Sequence, residues 1–425
     1  MSADKKVPEI RFKGFSGEWK NFPLEEFSNV LDGDRGHNYP SGEELKEQGH
    51  TLFLSASNVT KNGFRFDTRQ YITQDKSNKL GNGKLIIGDI VLTSRGSIGH
   101  IAWYNENITK KIPFARINSG MLILRVKNNI DPNVISQYLT SPEGKKKIEA
   151  ISFGSAQPQL TKASVLKLPV TIPSEKLEQT TIGNYFQKLD SLINQHQQKH
   201  DKLSNIKKAM LEKMFPKPDE TVPEIRFKGF NEEWEKKLLG DEMTITSVKR
   251  ILQSDWTTSG VRFLRARDIV STYKNEKSAD YLYIAREKYN EYSQISGKVE
   301  AGDLLVTGVG TIGVPMLITN NEPIYFKDGN IIWFKNENKI DGMFLYYSFV
   351  GDLIQTYIKY SAGTGTVGTY TISSGKNTPI KLPTKEEQTA IGNYFQKLDT
   401  LINQHQQQIT KLNNIKQACL NKMFI

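Results

Sequence analysis

The sequence predicts an α+β protein: two tandem mixed α/β domains separated by two long helices that form an antiparallel coiled coil, the whole with pseudo-two-fold symmetry. Three observations predict it. First, the chain of 425 residues repeats itself. Val7–Phe15 (VPEIRFKGF) recurs letter for letter at Val222–Phe230, and Gln179–Gln198 matches Gln388–Gln407 at 18 of 20 positions. Second, the stretches between these blocks are rich in Tyr, Thr, Val and Ile runs cut by Gly, Asn and Asp turns, as in GKLIIGDIVLTS and GVRFLRARDIV. Third, Ile182, Phe186, Leu189, Ile193, His196, His200 and Leu203 step alternately by 4 and 3. Ile391, Phe395, Leu398, Ile402, His405, Ile409 and Leu412 do the same, and that alternation is a coiled-coil seam.

Each half therefore reads as an entry segment, a globular domain and a helix. The expected boundaries are 1–20 (entry), 21–172 (first domain), 173–216 (central helix), 217–237 (linker and repeated entry), 238–382 (second domain) and 383–425 (C-terminal helix). GDIVLTSRGSIG (Gly88–Gly99) and GDLLVTGVGTIG (Gly302–Gly313) mark a shared strand–turn block. Helices are expected at Pro132–Ser141 and Asp341–Tyr360. The prolines of Phe215–Pro223 must end the central helix. Thr384 and Glu387 form a capping box for the last helix, whereas Ser174 lacks an acidic partner three residues on. Gly183 and Gly392 sit inside helices at a cost of about 1 kcal/mol each, which predicts close approach of another backbone. A helix from Gln179 to Pro216 is roughly 55 Å long, and it cannot bury its stripe alone. The twin supplies the other side. The junction MFP–KPDET–VPEIRFKGF also resembles the chain's two ends, MFI and VPEIRFKGF, so the pairing brings the open ends to a place equivalent to the closed junction.

Composition narrows the function. A net charge of +11 points to a polyanionic partner. The single Cys419 excludes a disulfide framework and a multi-cysteine zinc site, and none of the six His stands at metal-ligand spacing. No apolar run approaches the ~20 residues of a membrane span, and MSADKKVPEIRF lacks the apolar core of a secretory leader. A cytoplasmic location is expected. Gly308–Gly313 and Gly363–Gly368 match G-x-G-x-x-G, but VPMLIT after the first reads as strand where a dinucleotide site needs a helix. A Walker loop and an Asn-Pro-Pro-aromatic methyltransferase motif are both missing. The chain is therefore expected to be non-catalytic.

What remains is polar and basic decoration of the two domains. In the first these residues are Ser55, Ser57, Asn58, Arg95, Ser97, Arg116, Asn118, Gln157 and Gln159. In the second they are Arg265, Arg267, Asp268, Thr311, Lys327, Thr364 and Thr366. Arginine reads guanine, Asn and Gln read adenine, and Lys, Ser and Thr hold phosphates. Turn-borne clusters at corresponding places favour DNA reading. Ile182, Phe186, Leu189, Ile193, Leu203, Ile391, Phe395, Leu398, Ile402 and Leu412 are the expected helix-pair and partner interface.

With its tandem domains, its GNYFQKLD helix starts (Gly183–Asp190, Gly392–Asp399) and its G-D-[IL]-[VL]-[VL]-T…G-x-I-G blocks, the whole chain resembles the specificity subunit of Type I restriction–modification systems. The resemblance implies that each domain is a target-recognition domain reading one part of a split, asymmetric site on double-stranded DNA. It implies that the paired helices set the gap and dock two modification (methyltransferase) subunits, with restriction (translocase/nuclease) subunits joining the larger complex. S-adenosylmethionine, ATP and magnesium are then expected on those partners and no cofactor on this chain. Two other classes compete. A nucleotide-binding enzyme using the Gly-rich turns would retain nucleotide on purification, and an assembly scaffold would leave no DNA footprint.

Overall fold

The computed structural model describes residues 7–127, 129–152, 159–276, 280–363 and 368–425. The chain forms two compact units, residues 1–197 with 407–425 and residues 198–406. Among the described residues no helix is long and apolar enough to cross a membrane.

The first domain begins with β1 (Lys20–Pro23), α1 (Leu24–Phe27), β2 (Ser28–Asp32), β3 (Thr51–Leu54), the short strands β4 (Val59–Thr60), β5 (Gly63–Phe64) and β6 (Tyr71–Ile72), and α2 (Gln74–Lys79). It continues through β7 (Ile90–Thr93), β8 (Ile101–Trp103), α3 (Glu106–Lys111), β9 (Ala115–Ile117) and β10 (Met121–Val126). It closes with α4 (Pro132–Thr140), α5 (Pro142–Ile151), α6 (Lys162–Leu166) and β11 (Pro169–Ile172), and the long α7 (Lys176–Lys213) follows. A four-stranded sheet in the order β2-β10-β7-β8 lies against a smaller sheet, β6-β3-β9, in which β3 and β9 run parallel. Two-residue periodicity divides β7 between two cores. Ile90 and Leu92 join the core under the helices, and Val91 joins the core between the sheets.

The second domain repeats the plan with β12 (Glu235–Leu238), α8 (Leu239–Glu242), β13 (Thr244–Thr246), β14 (Trp256–Thr257), β15 (Val261–Leu264), α9 (Ala266–Tyr273), β16 (Leu282–Ile284) and α10 (Arg286–Ser296). Next come β17 (Leu304–Thr307), β18 (Pro315–Leu317), β19 (Ile324–Phe326) and β20 (Ile331–Lys335). Then come α11 (Gly342–Val350), α12 (Asp352–Ser361), α13 (Ile372–Lys376), β21 (Pro379–Leu382) and the long α14 (Lys385–Met423). Its sheets are β13-β20-β17-β18 and β14-β16-β15-β19, with β15 and β19 again parallel. Leu304 and Val306 face one core and Leu305 the other, as in β7. The helix expected over Asp341–Tyr360 is two helices, broken at Gly351, which is extended.

The seam serves the heads as well as the helices. Ile182, Phe186 and Leu189 lie in one core with Leu420, Met423 and Phe424, and Leu412 packs against it. Ile391, Phe395 and Leu398 lie in the other with Met214, and Leu203 packs against that. Ile193 and Ile402, further along, are half-buried. Each unit holds its helical segments antiparallel. In the first, Tyr185 meets Cys419 at 3.6 Å and Asp190 meets Lys416 at 2.6 Å. In the second, Asp399 meets Lys207 at 2.6 Å and Phe395 packs beside Phe215.

The repeated blocks fix the helix starts. Gln179 donates to the Pro173 carbonyl and accepts from the Asp131 amide, both at 2.9 Å. Gln388 does the same with Pro383 (2.9 Å) and Asp341 (3.0 Å), so each long helix is tied to the start of α4 or α11. The close approach expected at Gly392 is real: a Cβ there would lie 2.8 Å from the Met343 Cβ and 3.1 Å from the Phe344 amide nitrogen. At Gly183 the neighbour is instead the Asn133 side chain, at 3.0–3.2 Å. Thr384 caps α14 through the Glu387 amide at 3.4 Å, but the Glu387 carboxylate holds Arg226.

The open and closed junctions are equivalent within their own units. The Ile10 amide donates to the Lys422 carbonyl at 3.2 Å, and the Ile225 amide to that of Lys213 at 2.9 Å. Phe424 packs on Trp19 as Phe215 packs on Trp234. The closed junction has an extra lock: the Lys381 ammonium donates to the carbonyls of Lys217, Pro218 and Glu220.

Candidate nucleic-acid interface

Three turns and the residues just before α6 or α13 meet at the same edge of each head. The first follows the parallel strand β3 or β15. The Ser55 amide donates to Asn58 Oδ1 at 2.9 Å, and the Arg265 amide to Asp268 Oδ2 at 2.8 Å. LSASN and LRARD are thus one turn carrying different side chains, an arrangement typical of short polar caps. The second turn joins β7 to β8, or β17 to β18. Thr93 Oγ1 accepts the His100 amide and donates to the Ser97 carbonyl, and Thr307 repeats this with Val314 and Thr311.

Backbone hydrogen bonds clamp the third turn, between β9 and β10 or between β19 and β20, and the residues before α6 or α13 to the second one. The Ser94 amide donates to the Gly120 carbonyl at 2.9 Å, and the Ser94 carbonyl accepts the Leu160 amide at 3.0 Å. Gly308 makes the same pair of bonds, to the Asn330 carbonyl at 2.8 Å and from the Tyr370 amide at 2.9 Å. His100 Nδ1 lies 3.1 Å from the Val59 carbonyl, and the Lys327 amide donates to that of Leu264, so the first turn joins the cluster as well. Backbone hydrogen bonds used in this way anchor the bases of the turns, which lowers the ordering cost of presenting their side chains to a groove.

These contacts bring Ser55, Ser57, Arg95, Ser97, Asn118 and Gln159 together in the first head, and Arg265, Arg267, Thr311 and Lys327 in the second. Arg95, Ser97 and Thr311 are exposed at the tips. Arg267 is exposed but paired with Asp280. Arg265 is committed to Asp268 and Asp280, and the Asp268 carboxylate foremost holds its guanidinium above the ordinary value.

Three expected readers are structural instead. Arg116 is 4% exposed. Its guanidinium donates to Ser77 Oγ and to the carbonyls of Leu80, Gly81 and Asn82 at 3.0–3.1 Å, which closes the loop after α2. Burial holds its pKa below the usual arginine value. Its counterpart on β19, Tyr325, is equally buried and is pushed up to about 12. Asn58 and Asp268 are 2% and 3% exposed, and their oxygens cap their own turns. Gln157, Thr364 and Thr366 lie outside the described residues.

Sequence reasoning missed two arginines. Arg35, on the loop after β2, donates to the Ser119 carbonyl at 3.3 Å. Arg250, on the corresponding loop after β13, pairs with Asp328 at 2.8 Å. Both reach the third turn, a position that only the β2–β10 and β13–β20 pairings reveal. Asp34 beside Arg35 is held below its ordinary pKa by the amides of Gly36 and Gly81. The exposed Lys145 and Lys146 on α5 also border this edge, because Gly99 of the second turn lies so near Ile148 that a Cβ there would be 3.2 Å from Ile148 Cγ2. Their signal was the run KKK, within sight in the sequence.

The glycine motif at Gly308–Gly313 forms the β17–β18 turn, and no helix follows it. Among the described residues no group of three or more His, Cys, Asp or Glu is placed to hold a metal.

A pair of heads, each presenting clustered polar and basic turns on one sheet edge in a chain of net charge +11, defines a modular DNA-reading protein. The chain belongs to the Type I restriction modification DNA specificity family, whose model matches residues 16–205 and 231–414. It is 24% identical over 409 residues to a Haemophilus influenzae protein provisionally named a type I restriction enzyme specificity subunit, covering 95% of this chain and 93% of that one. It is also 24% identical over 364 residues to the Methanocaldococcus jannaschii MjaVIII specificity subunit, covering 81% of each. Its fold matches the crystal structure of a Type I system S subunit from M. genitalium with a TM-score of 0.66, over 99% of both chains at 14% identity. DNA recognition is accordingly the function of this chain.

Proposed function

We propose that each head reads one part of a split, asymmetric DNA target and that α7 and α14 set the distance between the parts and dock two modification subunits. The observation that carries this reading is one turn cluster built twice, with the same backbone clamps at Ser94 and Gly308 and different side chains on the tips. Identical clamps give the same docking geometry; different tips give different bases. Two heads, each binding a few base pairs weakly, gain affinity when a stiff connector presents them together. Only sites at one spacing then satisfy both.

In this reading the chain contributes recognition and no chemistry. The modification subunits carry S-adenosylmethionine and methylate an adenine flipped from the duplex, and restriction subunits carry ATP and magnesium. Purified to homogeneity, the chain is expected to show no methyl transfer and no DNA cleavage, and to gain methyl transfer when modification subunits are added. A footprint of that assembly should show two protected patches. Methyl transfer by the chain alone, or a single continuous patch confined to one head, overturns the proposal.

A further inference from the structure

Resting on that reading, we propose that Arg95 reads a guanine in the part of the target contacted by the first head, and that the second head makes no such contact at the equivalent place.

The two β-turns are the same structure. Gly96 and Gly310 have φ of +73° and +70°, and Gly99 and Gly313 have +79° and +77°. Ser94 and Gly308 make matching clamps, and Thr93 and Thr307 make matching internal bonds. Position for position, Ser94-Arg95-Gly96 corresponds to Gly308-Val309-Gly310. Arg95 is exposed at the tip, whereas Val309 is half-buried. The protein thus supplies its own comparison: one scaffold, with a guanidinium on one copy and an isopropyl group on the other.

The hydrogen-bond pattern separates Arg95 from every other arginine of its head. Residues 21–172 hold Arg35, Arg65, Arg69, Arg95, Arg116 and Arg125. Arg35 binds the Ser119 carbonyl, Arg65 binds Asp67, Arg69 binds the Phe66 carbonyl, Arg116 closes its loop and Arg125 pairs with Asp89. Of these six arginines, Arg95 alone has no hydrogen-bond or ion-pair partner among the described residues. In the second head Arg250, Arg265 and Arg267, the arginines nearest the turns, are all paired with carboxylates. An unpaired guanidinium on a clamped tip requires no ion pair to be broken before it binds. Its planar fork matches the O6 and N7 acceptors that guanine alone presents together in the major groove.

The test is methylation sequencing of a host carrying the chain and its partner subunits, with Arg95→Val, Arg95→Lys and Val309→Arg compared with the parent. Assembly of each variant is checked by size. The expected result is a guanine in the first head's part of the parental site that becomes degenerate in both Arg95 variants. Discrimination at that position should fall roughly ten- to a hundred-fold, with the second part unchanged. Val309→Arg should add a guanine preference to the second part. Three results overturn the assignment: no guanine in that part, an unchanged pattern with Arg95→Val, or a uniform loss with Arg95→Val that Arg95→Lys restores, since the last describes a phosphate contact. A parallel exchange of residues 21–172 separates this failure from failure of the broader reading. If the exchange rewrites one part while Arg95→Val changes nothing, only the guanine assignment falls. If the exchange rewrites neither part, the two-reader proposal falls with it.

Discussion

The Arg226 guanidinium grips the Glu387 carboxylate in a two-pronged ion pair at 2.6 and 2.7 Å, and its repeat, Arg11 with Glu178, has the same form at 2.7 and 2.8 Å. Each arginine comes from a VPEIRFKGF entry segment and each glutamate from the first turn of a long helix. The side chain of Glu387 is fully buried and that of Glu178 is 2% exposed. The entry segment is therefore a tether that seats the helix on its head, which explains why this block repeats without change.

Breaking a buried pair by removing one member leaves the other charge stranded, at about 3–5 kcal/mol. Arg226→Met should therefore destabilise the second unit by an amount of that order and raise hydrogen exchange in the first turns of α14. The double variant Arg226→Met with Glu387→Leu should recover much of the loss. If the single and double variants exchange alike, the pair contributes packing rather than charge compensation.

The two helix glycines predict an asymmetry. Alanine is intrinsically better than glycine in a helix by about 1 kcal/mol. At Gly392 the added methyl meets the Met343 Cβ and Asp341 Oδ1, both at 2.8 Å, and backbone at 3.1 Å, none of which can yield cheaply. At Gly183 its three nearest neighbours are all atoms of the Asn133 side chain, at 3.0–3.2 Å. Gly392→Ala should lose about 1–3 kcal/mol through overpacking, while Gly183→Ala stays within about 1 kcal/mol of the parent. Chemical unfolding followed by probes in each unit measures both, and equal effects would refute the packing explanation.

The ruler proposal calls for a deletion that spares the heads. Leu189 and Leu398 lie in head cores, and Asp190 and Asp399 hold Lys416 and Lys207. The heptads 194–200 and 403–409 avoid them and keep the seam in phase. Seven residues at 1.5 Å shorten each helix by about 10 Å, or about three base pairs at 3.4 Å each. The heads would also be turned by roughly 100° about the duplex, at about 10–10.5 base pairs per turn. Methylation of the original site should collapse in an assembled complex, with residual activity at shorter spacings. Retention of the original spacing would show that the helices do not set it.

Much of the architecture was readable because duplication prints it twice. The helix starts, the seam and the correspondence of the two junctions followed from residue identity and spacing alone. The site was less readable, for a physical reason. Sequence shows that a residue is an arginine, not which carbonyls surround it. Arg95 and Arg116 look alike on paper, yet the second is consumed by a loop 34–36 residues upstream. Asn58 and Asp268 likewise resemble readers until their oxygens are found capping their own turns. Arg35 and Arg250 were missed because nothing local marks a loop that reaches its site only through long-range strand pairing. Glu387 matched a capping pattern whose hydroxyl half forms, while its carboxylate answers to Arg226 instead.

Separate reading by the two heads can be checked by methylation sequencing of a head exchange. Residues 21–172 would be replaced by the corresponding domain of a relative with a different target, keeping Trp19, the entry segments and both long helices of this chain. The β1–β11 pairing closes the exchanged domain on itself, so the graft carries all of that sheet except Lys20, which pairs with position 172. In the expected methylated site one part changes to the donor's sequence, while the other part and the spacing stay as they were. Simultaneous change of both parts, in a complex whose assembly is intact, would contradict it.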